Sequence, residues 1–238
     1  MGTIIHLGNI AVDVVLKDIK NVHLSVYPPS GKVRISAPSR MKVDTIRLYA
    51  ISKLDWIKQQ QKKLREQERE TPREFLGRES HYVWGKRYLL EVIEKDAAPL
   101  IKLMHRKIRM QVRSDSDEHK KQQILDEWYR DQLKAALQPL IAKWEPLLNV
   151  RVNGFVVRKM KTKWGSCSPG PSTIRINTEL AKKPPECLEY ITVHEMIHLL
   201  EPTHNNRFVA LMNKFMPTWQ FQRDNLNRLP VRHEQWVY

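Results

Sequence analysis

The chain has 238 residues, 41% hydrophobic and 28% charged, with a formal net charge of +15. These proportions suit a folded protein of one or two domains with a substantial core, and no apolar run reaches the ~20 residues of a membrane span. The amino terminus lacks the basic start, apolar stretch and small-residue cleavage site of a secretory leader, and two cysteines are too few for a disulfide framework, so a soluble cytoplasmic protein is expected.

The first forty residues read as short strands. TIIHLGNIAVDVVL, NVHLSVYP and KVRISAP alternate or run apolar, and PPSG before Lys32 supplies a hairpin turn. From Lys42 to Glu70, apolar residues at Val43, Ile46, Tyr49, Leu54 and Ile57 recur at helical spacing, which predicts one long amphipathic helix with a charged end. HYVWGKRYLLEVIE predicts two strands about a tight turn at Gly85-Lys86, and PLIKLM with KIRMQV predicts another hairpin. SDSDE, near Ser114, carries helix-capping residues and marks a boundary. The helix that follows has a continuous apolar stripe from Ile124 to Trp144, interrupted by Pro139, where a kink or a break is expected. VRVNGFVVRKM and STIRIN read as strands, with 163–170 as the turn region between them. No internal repeat stands out. The expected organisation is a β-rich subdomain with one long helix over 1–114 and a catalytic subdomain over 115–238.

Three of the nine histidines fall within VHEMIHLLEPTH, residues 193–204. Pro184-Pro185 opens a helix well, because a proline in the first turn loses no intrahelical bond. On that helix His194 and His198 are four apart and share a face, so one cation can take both imidazoles. Glu195 then lies beside the metal without being forced onto it, as a general base requires. Glu201 precedes Pro202 and is steered out of the helical region, so the helix should end near Leu200 and the chain turn back. That turn brings His204 round as the third ligand; Glu201 is the rival, or a partner of a histidine. Three nitrogen ligands and an open position are the coordination of a catalytic zinc, one per chain, although histidine sites accept other divalent ions.

Together with WGSCS (164–168), the IN at 176–177 and GKRY (85–88), the segment EYITVHEMIHLLEPTHNNRF resembles the YgjP-like metallopeptidase family, zincin-class hydrolases related in motif to the SprT-like peptidases. The resemblance spans nearly the whole chain. It implies an α+β, zincin-like metallohydrolase fold with an HExxH helix, with His194, His198 and His204 on zinc and Glu195 as catalytic base. The glycine of the metzincin spacing is replaced by Glu201, and Met212 and Met216 read as packing residues rather than a methionine turn.

Residues 1–114 hold 23 Lys+Arg against 12 Asp+Glu, and residues 115–238 hold 18 against 14, so both parts are basic. Anionic ligands are therefore plausible partners. Lys159, Lys161 and Lys163, read as alternating on a strand, share a face and lead into Trp164, with Arg175 on the next strand. They are candidates for binding a peptide as an added strand, or a polyphosphate. Arg207 is a candidate for oxyanion stabilisation; His233 and Tyr238 are placed too far along the chain to assign. Peptide hydrolysis is the leading expectation. Metal-dependent nucleoside triphosphate pyrophosphate hydrolysis is the alternative. A third reading is a basic nucleic-acid-binding module whose zinc is structural, with Cys167 as fourth ligand.

Overall fold

A computed structural model describes residues 3–27, 30–66, 79–160 and 163–229. The chain forms two compact units, one from residues up to Glu70 and one spanning Thr71–Leu229. The expected boundary at 114 does not coincide with this division. Strands between 80 and 112 send Val83, Leu90, Ile108, Met110 and Val112 into the same core as the later helices, which places them in the second unit.

The first unit is a four-stranded sheet with two helices. Strands β1 (Thr3–Leu7), β2 (Ile10–Lys17), β3 (His23–Tyr27) and β4 (Lys32–Pro38) lie in the order β1-β2-β4-β3. The inward residues Val12, Val14, Val33, Ile35 and Ala37 alternate along their strands and pack against Ile46, Ala50 and Ile57. The single helix expected here is two, α1 (Val43–Ser52) and α2 (Leu54–Glu66), divided at Lys53.

The second unit begins with the same arrangement. Strands β5 (Ser80–Val83), β6 (Lys86–Glu94), β7 (Leu100–Leu103) and β8 (Lys107–Val112) lie in the order β5-β6-β8-β7. Each sheet pairs antiparallel, parallel, antiparallel across its width, and the registers correspond. VDVVLKD (12–18) stands where LEVIEKD (90–96) does, and KVRISAP (32–38) where KIRMQVR (107–113) does. Asp13 faces Arg34 and is ion-paired with it at 2.8 Å; Glu91 faces Arg109 and is paired at 2.7 Å. The chain therefore contains an internal repeat, contrary to the sequence expectation. Its identities are few, Val14/Val92, Lys17/Lys95, Asp18/Asp96, Lys32/Lys107 and Arg34/Arg109 over these segments, although the first two connecting loops match in length.

The helix after β8, α3 (Glu118–Leu148), starts at Asp117, whose side chain accepts from the Lys120 N–H at 2.7 Å. It runs without a break through Pro139 and Pro146. Both prolines and the residues four before them, Ala135 and Ala142, are solvent-exposed, so the carbonyls freed by the missing N–H groups meet water. Leu125, Tyr129, Leu133, Leu137, Ile141, Trp144 and Leu148 form its buried stripe.

A second, three-stranded sheet follows, with β9 (Gly154–Arg158), β10 (Gly165–Ser168) and β11 (Thr173–Asn177) in the order β10-β11-β9. Residues 163–170, expected as a turn, thus contain an outer strand. A 3-10 turn (Thr178–Lys182) leads to α4 (Pro185–Ile197), α5 (Asn206–Phe215) and α6 (Trp219–Arg228). Among the described residues no helix is long and apolar enough to cross a membrane.

Candidate metal centre

Helix α4 carries Pro185 in its first turn, as its sequence requires, and is buried almost all round. It ends at Ile197 with His198 as its C-cap, three residues earlier than expected. The Leu199 and Leu200 N–H groups donate to the carbonyls of Met196 and Ile197, and the chain reverses. The Glu201 carboxylate accepts from both the N–H and the hydroxyl of Thr203, at 3.3 and 3.0 Å, which fixes the turn around Pro202. Asn205 then caps α5 by accepting from the Phe208 N–H at 3.0 Å.

This return brings the three histidines together. His204 Nε2 lies 3.0 Å from His194 Nε2 and 3.1 Å from His198 Nε2. His198 Nδ1 lies 3.0 Å from the Glu201 carbonyl, which can only accept, so Nδ1 carries the proton and Nε2 presents a lone pair to the cluster. Burial, then the neighbouring charges of His198 and His204, hold His194 down to about 3; burial first also lowers His204. The His194 ring is thus neutral at physiological pH, the state a metal needs. The His194 Nδ1 is buried and has no hydrogen-bond partner. Two nitrogens on one tetrahedral zinc at ~2.05 Å stand about 3.3 Å apart, so the observed spacing fits one small cation. The cluster of possible ligand atoms comprises these three histidines and leaves out Cys167. Glu201 contributes its backbone carbonyl to His198 and its side chain to the turn.

Phe208 is a part of the site that its sequence context did not reveal. It is 2% exposed, and its ring centroid lies 4.9, 4.7 and 4.7 Å from those of His194, His198 and His204. One aromatic side chain therefore backs all three imidazoles.

Glu195 is 5% exposed, and burial pushes its carboxyl up to about 7, with Lys163 opposing. It lies against the outer strand β10. A Cβ on Gly165 would sit 2.5 Å from Glu195 Oε1 and 2.7 Å from its Cγ, so only glycine fits beside this carboxylate. The start of α4 is braced in a related way. Trp84 and Gly85, at positive φ, form the turn between β5 and β6, one residue earlier than expected. Their N–H groups donate to the carbonyls of Ala181 and Lys182, and a Cβ on Gly85 would meet Pro184 at 2.9 Å.

The substrate candidates are less unified. Lys159 and Lys163 lie outside any strand, because β9 ends at Arg158; Lys161 falls outside the described residues. The alternating lysine face is therefore not formed. Lys163 is exposed, and its charge acts on both Glu195 and His204. Trp164 is half-buried against the core, and the Lys183 ammonium sits 5.9 Å from its ring centroid. Arg175, opposite Ser166, donates to the Ser168 hydroxyl of β10 at 2.8 Å. Arg207 is 4.0 Å from the Glu201 carboxylate. Met212 and Met216 pack in the core, as expected. Burial, then Glu195, raises the Cys167 thiol to about 11, far from a reactive thiolate. His233 and Tyr238 lie outside the described residues.

The YgjP-like metallopeptidase domain matches residues 20–229. The chain belongs to the YgjP-like metallopeptidase family. Members of this family are metal-dependent hydrolases by their description. No curated protein matches the sequence significantly. Among solved structures, the metallopeptidase zymogen abylysin of Pyrococcus abyssi is similar at 21% identity and a TM-score of 0.35, over 37% of this chain and 90% of that one. The metallopeptidase zymogen jannalysin of Methanocaldococcus jannaschii is similar at 21% identity and a TM-score of 0.33, over 40% and 92%.

Proposed function

We propose that this YgjP-like chain is a zincin-like peptidase in which His194, His198 and His204 hold one divalent cation, typically zinc in such families, and Glu195 is the general base. The observation that carries this reading is the convergence of three Nε2 atoms at 3.0–3.1 Å beside a buried carboxyl. A divalent cation bound there supplies a Lewis acid that polarises the scissile carbonyl and acidifies water. Glu195, raised to about 7, is suited to take the proton of the attacking water near neutral pH and return it to the leaving amine. Its burial excludes bulk water from that exchange. The outer strand β10 offers main-chain groups with which an extended peptide pairs as an added strand. Lys163, Trp164 and Arg175 flank that strand and contact the peptide.

The test is hydrolysis of a denatured protein by the purified chain with its metal content measured, beside Glu195→Gln. Cleavage by the wild type, with none by a variant that still holds one metal per chain, is expected. Release of pyrophosphate from nucleoside triphosphates without protein cleavage would overturn the peptidase reading.

A further inference from the structure

Asn177 is 5% exposed and spends its whole side chain on one junction. Its Nδ2 donates to the Lys163 carbonyl at 2.8 Å and to the Met160 carbonyl at 2.9 Å. Its Oδ1 accepts from the Glu179 N–H at 3.2 Å and the Met160 N–H at 3.4 Å. Its own N–H donates to the Trp164 carbonyl at 2.9 Å. One residue therefore fixes the chain just before and just after 161–162, the entry to β10, and the start of the 3-10 turn that leads to α4. The next residue after Trp164 is Gly165, the one that lies against Glu195 with no room for a Cβ. The residue before Trp164 is Lys163, whose charge acts on Glu195 and His204.

We propose that Asn177 is a positioning residue of the site: its side-chain amide clamps the Met160 and Lys163 carbonyls at the entry to β10, beside the Trp164 carbonyl held by its backbone N–H, so that Gly165 holds the Glu195 carboxylate in place. This rests on the hydrolase reading above only where activity is measured. None of its bonds involves a histidine of the cluster, so it acts on the base and not on the metal. A buried amide with two carbonyls on one side cannot be replaced by a carboxylate without setting like partial charges face to face.

The experiment compares the wild-type chain with Asn177→Asp, which keeps the acceptor oxygen and loses both donations. Cys167, two residues beyond Gly165 on β10, reports the position of the strand, and the fully buried Cys187 on α4 serves as the internal control. The expected result is a Cys167 alkylation rate at least about tenfold above wild type, with Cys187 unchanged and metal still one per chain. On the denatured protein substrate kcat/KM falls about 10- to 100-fold, since a displacement of ~1 Å costs on that order. Should Asn177→Asp not fold, Asn177→Ser, whose hydroxyl still caps Glu179, carries the same readouts. Wild-type alkylation of Cys167 in a folded variant overturns the proposal. If the wild type hydrolyses nothing, the hydrolase reading fails while the alkylation rates still decide the role of Asn177.

Discussion

Substituting Gly165 by alanine tests the site at its tightest contact. The added Cβ would stand 2.5, 2.7 and 2.9 Å from Oε1, Cγ and Cδ of Glu195. Ordinary contacts of this kind lie near 3.5 Å, so the carboxylate or the strand must yield by about 1 Å. Glu195 is buried and α4 is packed on nearly every side, so the shift is not absorbed freely. Overpacking of this size costs about 1–3 kcal/mol, which lowers Tm by a few degrees in a chain of this length. Displacing a catalytic group by ~1 Å costs on the order of a hundredfold in rate, about 2.7 kcal/mol in the barrier. The histidines are untouched, so metal content should stay at one per chain. The assay is kcat on a denatured protein, with metal content and Tm measured on the same preparation. A Gly165→Ala chain with wild-type kcat would refute the reasoning that this contact sets the base.

Phe208→Ala removes the ring behind all three imidazoles; it should cost about 3–5 kcal/mol in denaturant unfolding and weaken metal binding in competition with a chelator. In the metal-free protein the raised Glu195 binds a proton that the unfolded chain releases between about pH 4.5 and pH 7. Its contribution to stability is complete below that window and lost as pH rises through it. Glu195→Gln should therefore be more stable than the metal-free wild type at pH 8, by on the order of 3 kcal/mol, and the gain should shrink towards pH 4.5; equal urea midpoints at pH 8 would contradict this. A fragment of residues 71–229 contains every candidate ligand and its supporting core, so it should bind one metal per chain in an equilibrium titration.

Most strands were readable because their apolar residues alternate, and the histidine cluster because i, i+4 spacing and Pro202 are strong local signals. What escaped depends on contacts between distant segments. Pro139 looks like a helix breaker in sequence, yet its exposure lets water satisfy the freed carbonyl. GSCS has neither the length nor the apolar pattern of a strand; β10 exists because β11 pairs with it and Asn177 secures its entry. Phe208 is an unremarkable letter, and Gly165 stands in the WGSCS motif with no stated role, until the fold places one behind three rings and the other against a carboxylate. The repeat was hidden because sheet topology depends on which strands pair, and many sequences satisfy the same alternation.

The two copies of that repeat show how little topology alone says about function. Both have a tight turn between their first two strands. In the first, a Cβ on Gly8 would meet nothing within 4 Å. In the second, the Trp84 and Gly85 N–H groups hold the 3-10 turn and Gly85 lies against Pro184, where α4 begins. The same device has thus become part of the support of the candidate site in one copy only. The difference lies in a few residues at the turn and in the segment that it meets, while strand order and register are shared. Substituting Gly85 should therefore disturb α4 and the cluster it carries, whereas the same change at Gly8 should cost only the strain of its positive φ.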